Sequence, residues 1–526
     1  MSRKNGAPVP WTFLAVWASP VSLDILLTTI NAKWIHPSLA LRLLKANLGQ
    51  LENRAEILEF AQRQPLTEKT EPILSAAPRI LGISVSIWNH QGTVELLRAL
   101  EKSWNPRAVR PVIVLGGPEV SYLPAGAEII RRADWVIRGE GEDVFRELCG
   151  LLLDRAGDRT DRDAHGTLEG LIRALPPVRG VGGKIVEARP VDLAAIDPGY
   201  RLYTKEDLSR KLVYVEASRG CPFGCEFCQS SVPVGGDRTV REFPLDAFLG
   251  EMAALINRGG RGFKFLDRSF NLDTNRARQI MEFFLERLQP SAPVDSPLAG
   301  QHGAAPRPGP DYVHFEMVPS RFPVELRETL TRFPPGSLRL EIGIQTFNQA
   351  TSRLINRPGD PEQELEVLGF LREKTQAIVH ADLIAGLPGE GLDSFARGFD
   401  RLWQVRPAEI QVGILKGLPG TPILRHNGPH NMVYAPHPPY EVQASAALSG
   451  PDLDRIRNFA RFWELIVNRG AFDDLVPALL PDGEPVFWRF LALSDRLLER
   501  FGRNWGIDRR ELRSALEADE TISKEI

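Results

Sequence analysis

The feature that most constrains this chain is an alternation of short, almost wholly apolar runs with stretches of helical periodicity. In the first part the runs are LDILLTTI (residues 23–30), RILGISVSI (79–87), PVIVLGG (111–117) and the start of WVIRGEGEDVF (135–145). Leu44, Leu48 and Leu51 follow the first run at helical spacing, and Val94, Leu97 and Leu100 follow the second. A strand that is apolar at nearly every position is buried on both faces. That predicts a parallel sheet covered by helices on both sides. Gly116 and Gly117 end one run, and Gly139 and Gly141 another. Such glycines let a ligand approach the backbone at the carboxyl edge of the sheet. No G-x-G-x-x-G follows the first run, so a dinucleotide is not favoured.

Six more runs follow: LVYVEAS (212–218), RGFKFLDRSFN (261–271), YVHFEMVP (312–319), LRLEIGIQTFN (338–348), AIVHADLIAGLPG (377–389) and EIQVGILKGLPGT (409–421). Helical stretches separate them, for example around Leu365, Leu368 and Leu371. Directly after the first of these runs stands RGCPFGCEFC (219–228), which places Cys221, Cys225 and Cys228 in a C-x3-C-x2-C spacing. Three thiolates are one short of a closed zinc site. They are also one short of a fully cysteine-bound [4Fe–4S] cluster, so one iron is left to bind something else. Gly220, Pro222 and Gly224 let the loop curl tightly, and Phe223 and Phe227 can screen it from water. A zinc knuckle is disfavoured because no nearby His or Asp offers a fourth ligand. Cys149, in VFRELCG, reads as a small buried hydrophobe on a helix face.

The loop resembles the signature of radical S-adenosylmethionine (SAM) enzymes. GISVS, VLGGPEVS and VIRGEGE ahead of it are similar to the cobalamin-binding domain of the cobalamin-dependent members of that superfamily. The resemblance implies three cofactors: a [4Fe–4S] cluster on Cys221, Cys225 and Cys228, SAM on the open iron, and cobalamin over the first sheet. It implies reductive cleavage of SAM to a 5′-deoxyadenosyl radical, hydrogen abstraction from an unactivated carbon, and methyl transfer from methylcobalamin. The fold class it implies is α/β. A flavodoxin-like doubly wound parallel sheet is followed by a partial (β/α)6 barrel and a small carboxyl-terminal α-helical domain. The expected boundaries are a disordered extension over 1–20, a cobalamin-binding domain over 21–153, a linker over 154–205, a radical SAM domain over 206–445 and a helical domain over 446–526.

Polar residues among the apolar barrel runs are the expected wall of the SAM cavity: Glu316, Glu341 and Gln345. A carboxylate there needs a partner, either SAM itself or an arginine such as Arg339 or Arg357. By resemblance, Asp267 stands near the amino group of SAM, and Gly386, with Gly389, near its adenine. Pro419 and Gly420 match the family at the last strand end. The expected cobalamin contacts are Ser84, Ser86, Gly116, Gly117, Gly139 and Glu140. No D-x-H-x-x-G supplies cobalt with a lower histidine. His36 and His90 are expected to be loop histidines with other partners. No side chain stands out as a general acid or base.

Composition sets the outer limits. With 43% apolar and 25% charged residues and a net charge of −3, the chain reads as globular, with no bulk nucleic acid as partner. Three of its four cysteines are committed, which leaves no disulfide framework and implies a reducing, cytoplasmic setting. No apolar run reaches the roughly 18 residues of a membrane helix. WTFLAVWAS, after Arg3 and Lys4, is too short for a signal peptide and reads as extension. Residues 289–311, rich in Pro, Gly and Ala, read as a flexible insertion. Near the carboxyl end, Ile456, Phe459, Trp463 and Ile466 form one helical stripe, and Phe487, Phe490, Leu491, Leu498 and Phe501 another. These predict an aromatic core. A lid, with Trp463 or Trp488 facing a ligand, is the alternative. A methylthiotransferase would need three more cysteines beyond the loop, and Cys149 alone cannot supply them. Two alternatives stay open: cobalamin-assisted cyclisation, rearrangement or oxidation without methyl transfer, and a non-enzymatic cobalamin or iron–sulfur sensor. The substrate, a small molecule or peptide, is not legible. The resemblance implies a flavodoxin- or ferredoxin-type reductant.

Overall fold

The computed structural model describes residues 23–104, 110–154, 180–181, 185–232, 238–288, 310–481 and 483–519. The expected extension over 1–20, the polar stretch over 155–169 and residues 289–309 of the insertion lie outside the described residues.

Seven strands form the first sheet: β1 (Ile25–Asn31), β2 (Ala55–Ala61), β3 (Ile80–Ser84), β4 (Val112–Gly116), β5 (Trp135–Arg138), β6 (Gly180–Val181) and β7 (Ile185–Glu187). Their order is β2-β1-β3-β4-β5-β7-β6, parallel except for the β6–β7 pair. The sheet has a separate apolar core on each face, as strands apolar at nearly every position require. Ile25 and Leu27 of β1 share one core with Leu41, Phe145 and Leu148, under helices Leu39–Ala46 and Glu142–Asp154. Leu26 and Ile30 join the other, with Leu97 and Leu100 of helix His90–Ser103. The polar members of β1 are satisfied locally. Thr28 donates to the Leu58 carbonyl at 2.6 Å and Thr29 to the Ser84 carbonyl at 2.8 Å.

Three features differ from the sequence reading. The first helix stops at Ala46, and Gly49 (φ +59°) opens a 3-10 turn, so Leu48 and Leu51 lie beyond it. β2 was not expected, because AEILEFA mixes charge into an edge strand whose Glu59 is tied to Arg42. β7 falls inside the stretch expected to be linker, yet Val186 pairs with Ile137 and extends the sheet.

The second sheet has β8 (Val213–Val215), β11 (Gly262–Phe265), β12 (Tyr312–Met317), β13 (Leu338–Gln345), β14 (Ile378–Ala385) and β15 (Glu409–Ile414). A two-stranded ribbon, β9 (Ser218–Arg219) with β10 (Arg241–Glu242), leaves the first strand end. The six strands pair in sequence order and in parallel, with β8 and β15 at the edges, which makes an open barrel. Alternation sorts the side chains. Leu338, Leu340, Ile342 and Ile344 of β13 are buried outward under helices, and Arg339, Glu341 and Gln345 face the interior.

The carboxyl-terminal helices Gly450–Trp463 and Phe487–Phe501 share the barrel's own core. Trp463 is 1% exposed and meets Phe399 and Trp403 of helix Leu392–Val405 edge-on. Trp488 is exposed. These helices brace the outside of the barrel. Among the described residues no helix is long and apolar enough to cross a membrane.

Candidate functional site

The three-cysteine loop leaves β8 through two residues of β9. Gly220 has φ +105°, and a Cβ there would lie 2.6 Å from the Thr239 carbonyl, so only glycine fits. Asn356 donates to the Gly224 carbonyl at 3.0 Å, an approach that any side chain at Gly224 would block. Ser231, buried, lies 2.6 Å from the Cys225 carbonyl and 2.7 Å from that of Cys228, which ties the two cysteine backbones together. Glu226, between them, is buried against Arg425 and against His426 at 2.9 Å. The Glu226 N–H donates to Ile355, and its carbonyl accepts from Ile423. The loop is therefore anchored from two sides of the barrel mouth.

Among the described residues no three His, Cys, Asp or Glu side chains converge where a single ion would sit. A cluster does not require such convergence, because each cysteine binds its own iron. Burial pushes the Cys221 thiol up, so it becomes a thiolate only beside a compensating cation. A soft thiolate set with this spacing fits an iron–sulfur cube.

Asp267, just past β11, accepts from the Ala217 N–H at 2.9 Å and the Ser218 hydroxyl at 2.5 Å. It pins the chain that leads into the loop, and burial raises its pKa to about 6. Glu316 pairs with Arg268 at 3.5 Å, and burial raises its pKa. Glu341 lies 3.4 Å from His314 and 3.3 Å from Lys264. Those two neighbours, His314 first, hold its carboxyl down at about 2. The His314 contact is long, and burial lowers that imidazole's own pKa, so Lys264 is the charge partner at neutral pH. Gln345 ends β13 in the left-handed region (φ +72°), at a bulge. Gly386 (φ +88°) packs against Val442 and Leu453 of the carboxyl-terminal segment.

Two residues in this interior were not singled out from sequence. Asp382 of β14 has a buried oxygen without a hydrogen-bond partner, and burial, with Glu341 and Glu316 adding repulsion, raises its pKa to about 8. Strand alternation places it on the same face as His380, a signal available in the sequence. Arg357 was read only as an ion-pair partner. One guanidinium nitrogen lies 3.6 Å from Cys225 Sγ and the other donates to the Gly343 carbonyl.

At the carboxyl edge of the first sheet lies a cavity of about 280 Å³. Ser84, Gly116, Gly117, Gly139 and Glu140 line it, with Leu39, Leu41, Leu115, Ile137 and Phe145 behind them. Gly117 has φ +102°, and a Cβ there would sit 2.6 Å from the Val85 carbonyl. Ser86, also expected as a contact, is buried, gives its N–H to Asn89, and is not among the residues that line the cavity. Glu140 is an ion-pair partner of Arg219 and Arg241. His36 bonds Tyr214 at 2.8 Å and His90 bonds Glu119 at 2.7 Å, and neither lines the cavity. A cradle of apolar walls and bare backbone fits a large ring cofactor held by area and main-chain contacts.

Comparison with known proteins agrees with this geometry. A B12-binding domain model matches residues 25–149, and a radical SAM superfamily model matches residues 215–402. An uncharacterised methyltransferase of Pyrococcus horikoshii is 31% identical over 182 residues, which is 32% of this chain and 36% of that protein. The chain thus spans about a third of that relative's length. Among solved structures, the cobalamin-dependent SAM radical enzyme OxsB superposes with a TM-score of 0.59 at 14% identity, covering 95% of this chain and 79% of that one. The radical SAM methyltransferase TsrM of Kitasatospora setae gives 0.57 at 15% identity, covering 94% and 100%. At such identities the likeness establishes the fold. The cofactors that go with the two domains are a [4Fe–4S] cluster, SAM and cobalamin. With both domains in one polypeptide, in this order and over this fold, the chain belongs to the cobalamin-dependent radical SAM enzyme family.

Proposed function

We propose that this chain is a methyltransferase acting on an unactivated carbon of a small molecule or peptide. One observation carries the reading. The cavity of the first sheet is walled on its far side by Glu216 and Arg219, and two residues later the chain reaches Cys221. This closeness along the chain supports a methyl carrier and a SAM site that would face one another. The Pyrococcus relative and TsrM, both described as methyltransferases, support the reading.

When bound, the cluster supplies the electron that cleaves SAM, and cobalamin supplies the methyl group. Cys221, Cys225 and Cys228 would hold the cluster. Arg357, beside Cys225, would meet the carboxylate of SAM. Glu316, Gln345 and Asp382 would take its ammonium and hydroxyls. Ser84, Gly116, Gly117 and Gly139 would let the corrin approach the backbone. Asp267 would position the loop through Ala217 and Ser218. The remaining barrel wall would orient the substrate and exclude water. Electrons would come from a flavodoxin- or ferredoxin-type reductant.

The test is turnover of the anaerobically reconstituted protein with SAM, cobalamin and a reductant. Formation of both 5′-deoxyadenosine and S-adenosylhomocysteine is expected. Deoxyadenosine alone would replace methyl transfer with another cobalamin-assisted radical reaction. Neither product would leave a non-enzymatic binder.

A further inference from the structure

We propose that Arg219 couples the two cofactor sites, so that cobalamin in the first domain tightens SAM at the cluster loop and SAM tightens cobalamin. The inference rests on the cofactor assignment above. Its basis is the position of one guanidinium. The backbone of Arg219 is fixed in β9 by pairing with Arg241, and Gly220 and Cys221 follow directly. Its side chain reaches back to the first domain. It lies 2.6 Å from Glu216, 2.8 Å from Glu142 and 3.3 Å from Glu140. Glu140 also holds Arg241 and accepts from the Val191 N–H at 3.0 Å. Glu142 opens helix Glu142–Asp154, directly after the Gly139 turn at the end of β5.

All four members of the Arg219 group line the cavity, and the Arg219 side chain is only 12% exposed. Three carboxylates face two guanidinium groups, so acceptor capacity is left over at the rim. A corrin is edged with amide arms, whose N–H groups can use that capacity. A cavity of about 280 Å³ encloses only part of a corrinoid, so a bound one would extend beyond it, and the Arg219 group is among the polar side chains it would meet. A cofactor that draws on Glu140 or Glu142 changes what Arg219 holds, and hence the chain two residues before the first cluster ligand. By linkage the effect is reciprocal.

The experiment is a hydroxocobalamin titration of the anaerobically reconstituted full chain, followed by visible absorbance, with and without saturating SAM. Wild type is expected to bind cobalamin about five- to a hundredfold more tightly with SAM present. Arg219→Gln should bring that ratio to within about twofold of one, and Arg219→Lys should restore part of it. A purely structural arginine would weaken both affinities and leave the ratio unchanged, and that result overturns the proposal. A wild-type ratio of one overturns it as well. Should Arg219→Gln fail to fold, Glu142→Gln is judged by the same ratio. If wild type binds no cobalamin at all, the cofactor assignment falls and takes the coupling with it.

Discussion

Around the cavity of the first domain the side chains are Leu39, Leu41, Leu115, Ile137 and Phe145, with glycines where the chain comes closest. Inside the barrel they are Lys264 with Glu341, Arg268 with Glu316, buried His314 beside half-buried His380, and Asp382 with one oxygen unpaired. The first wall is mostly apolar, with Glu140, Glu142, Glu216 and Arg219 as its charged members, and suits a large ring held mainly by area. The second binds by charge, and suits a compact zwitterion that can replace water at each polar group. On the proposed assignment, one chain separates two cofactors by giving them different physics.

The largest test of this division is to replace Cys221, Cys225 and Cys228 together with alanine. Iron should fall from about four per chain to background, and cobalamin affinity should stay within about tenfold of wild type. Loss of both would mean that the two regions are not separate binding units. The converse is Leu44→Glu, which sets a carboxylate into the apolar wall. An unpaired charge there is costly. Cobalamin affinity should drop at least about a hundredfold, with iron content unchanged by colorimetric assay. Gly117→Ala forces a side chain into the left-handed region against Val85. Urea unfolding should record a loss of about 1–3 kcal/mol, and an unaltered midpoint would show that the backbone relaxes.

Two smaller effects sharpen the contrast. The folded pKa of Asp382, about 8, lies above an unfolded value near 4. The folded chain therefore holds an extra proton between those values, and stability present at low pH is lost as pH rises through 8. Asp382→Asn should remove on the order of 2 kcal/mol of that decline, discounted for an interior open to water. Parallel melting curves of wild type and variant from pH 5 to pH 9, without SAM, would contradict it. Finally, SAM affinity should fall about two- to threefold between about 0.05 and 0.5 M salt while cobalamin affinity holds. Equal salt dependence would erase the distinction.

The cysteine spacing, the glycines at strand ends and the six barrel runs were legible because each is a local pattern. β2 was not, because Glu56 and Glu59 break its apolar run, and an edge strand needs only one covered face. Nor was the role of Glu140, whose partners Arg219 and Arg241 are remote in sequence and become neighbours only when the domains meet. Ser231 is a single hydroxyl whose worth lies in two carbonyls it reaches after folding. Asp382 was within reach, since strict alternation along β14 would have turned it inward.

The hydroxyl of Tyr440, past the last barrel strand, lands 2.6 Å from Glu119 in the first domain, where His90 bonds the same carboxylate. The polypeptide therefore closes on itself like a belt through its own buckle. Cutting the chain beyond residue 430 would loosen the corrinoid module, the part most distant from the cut in sequence.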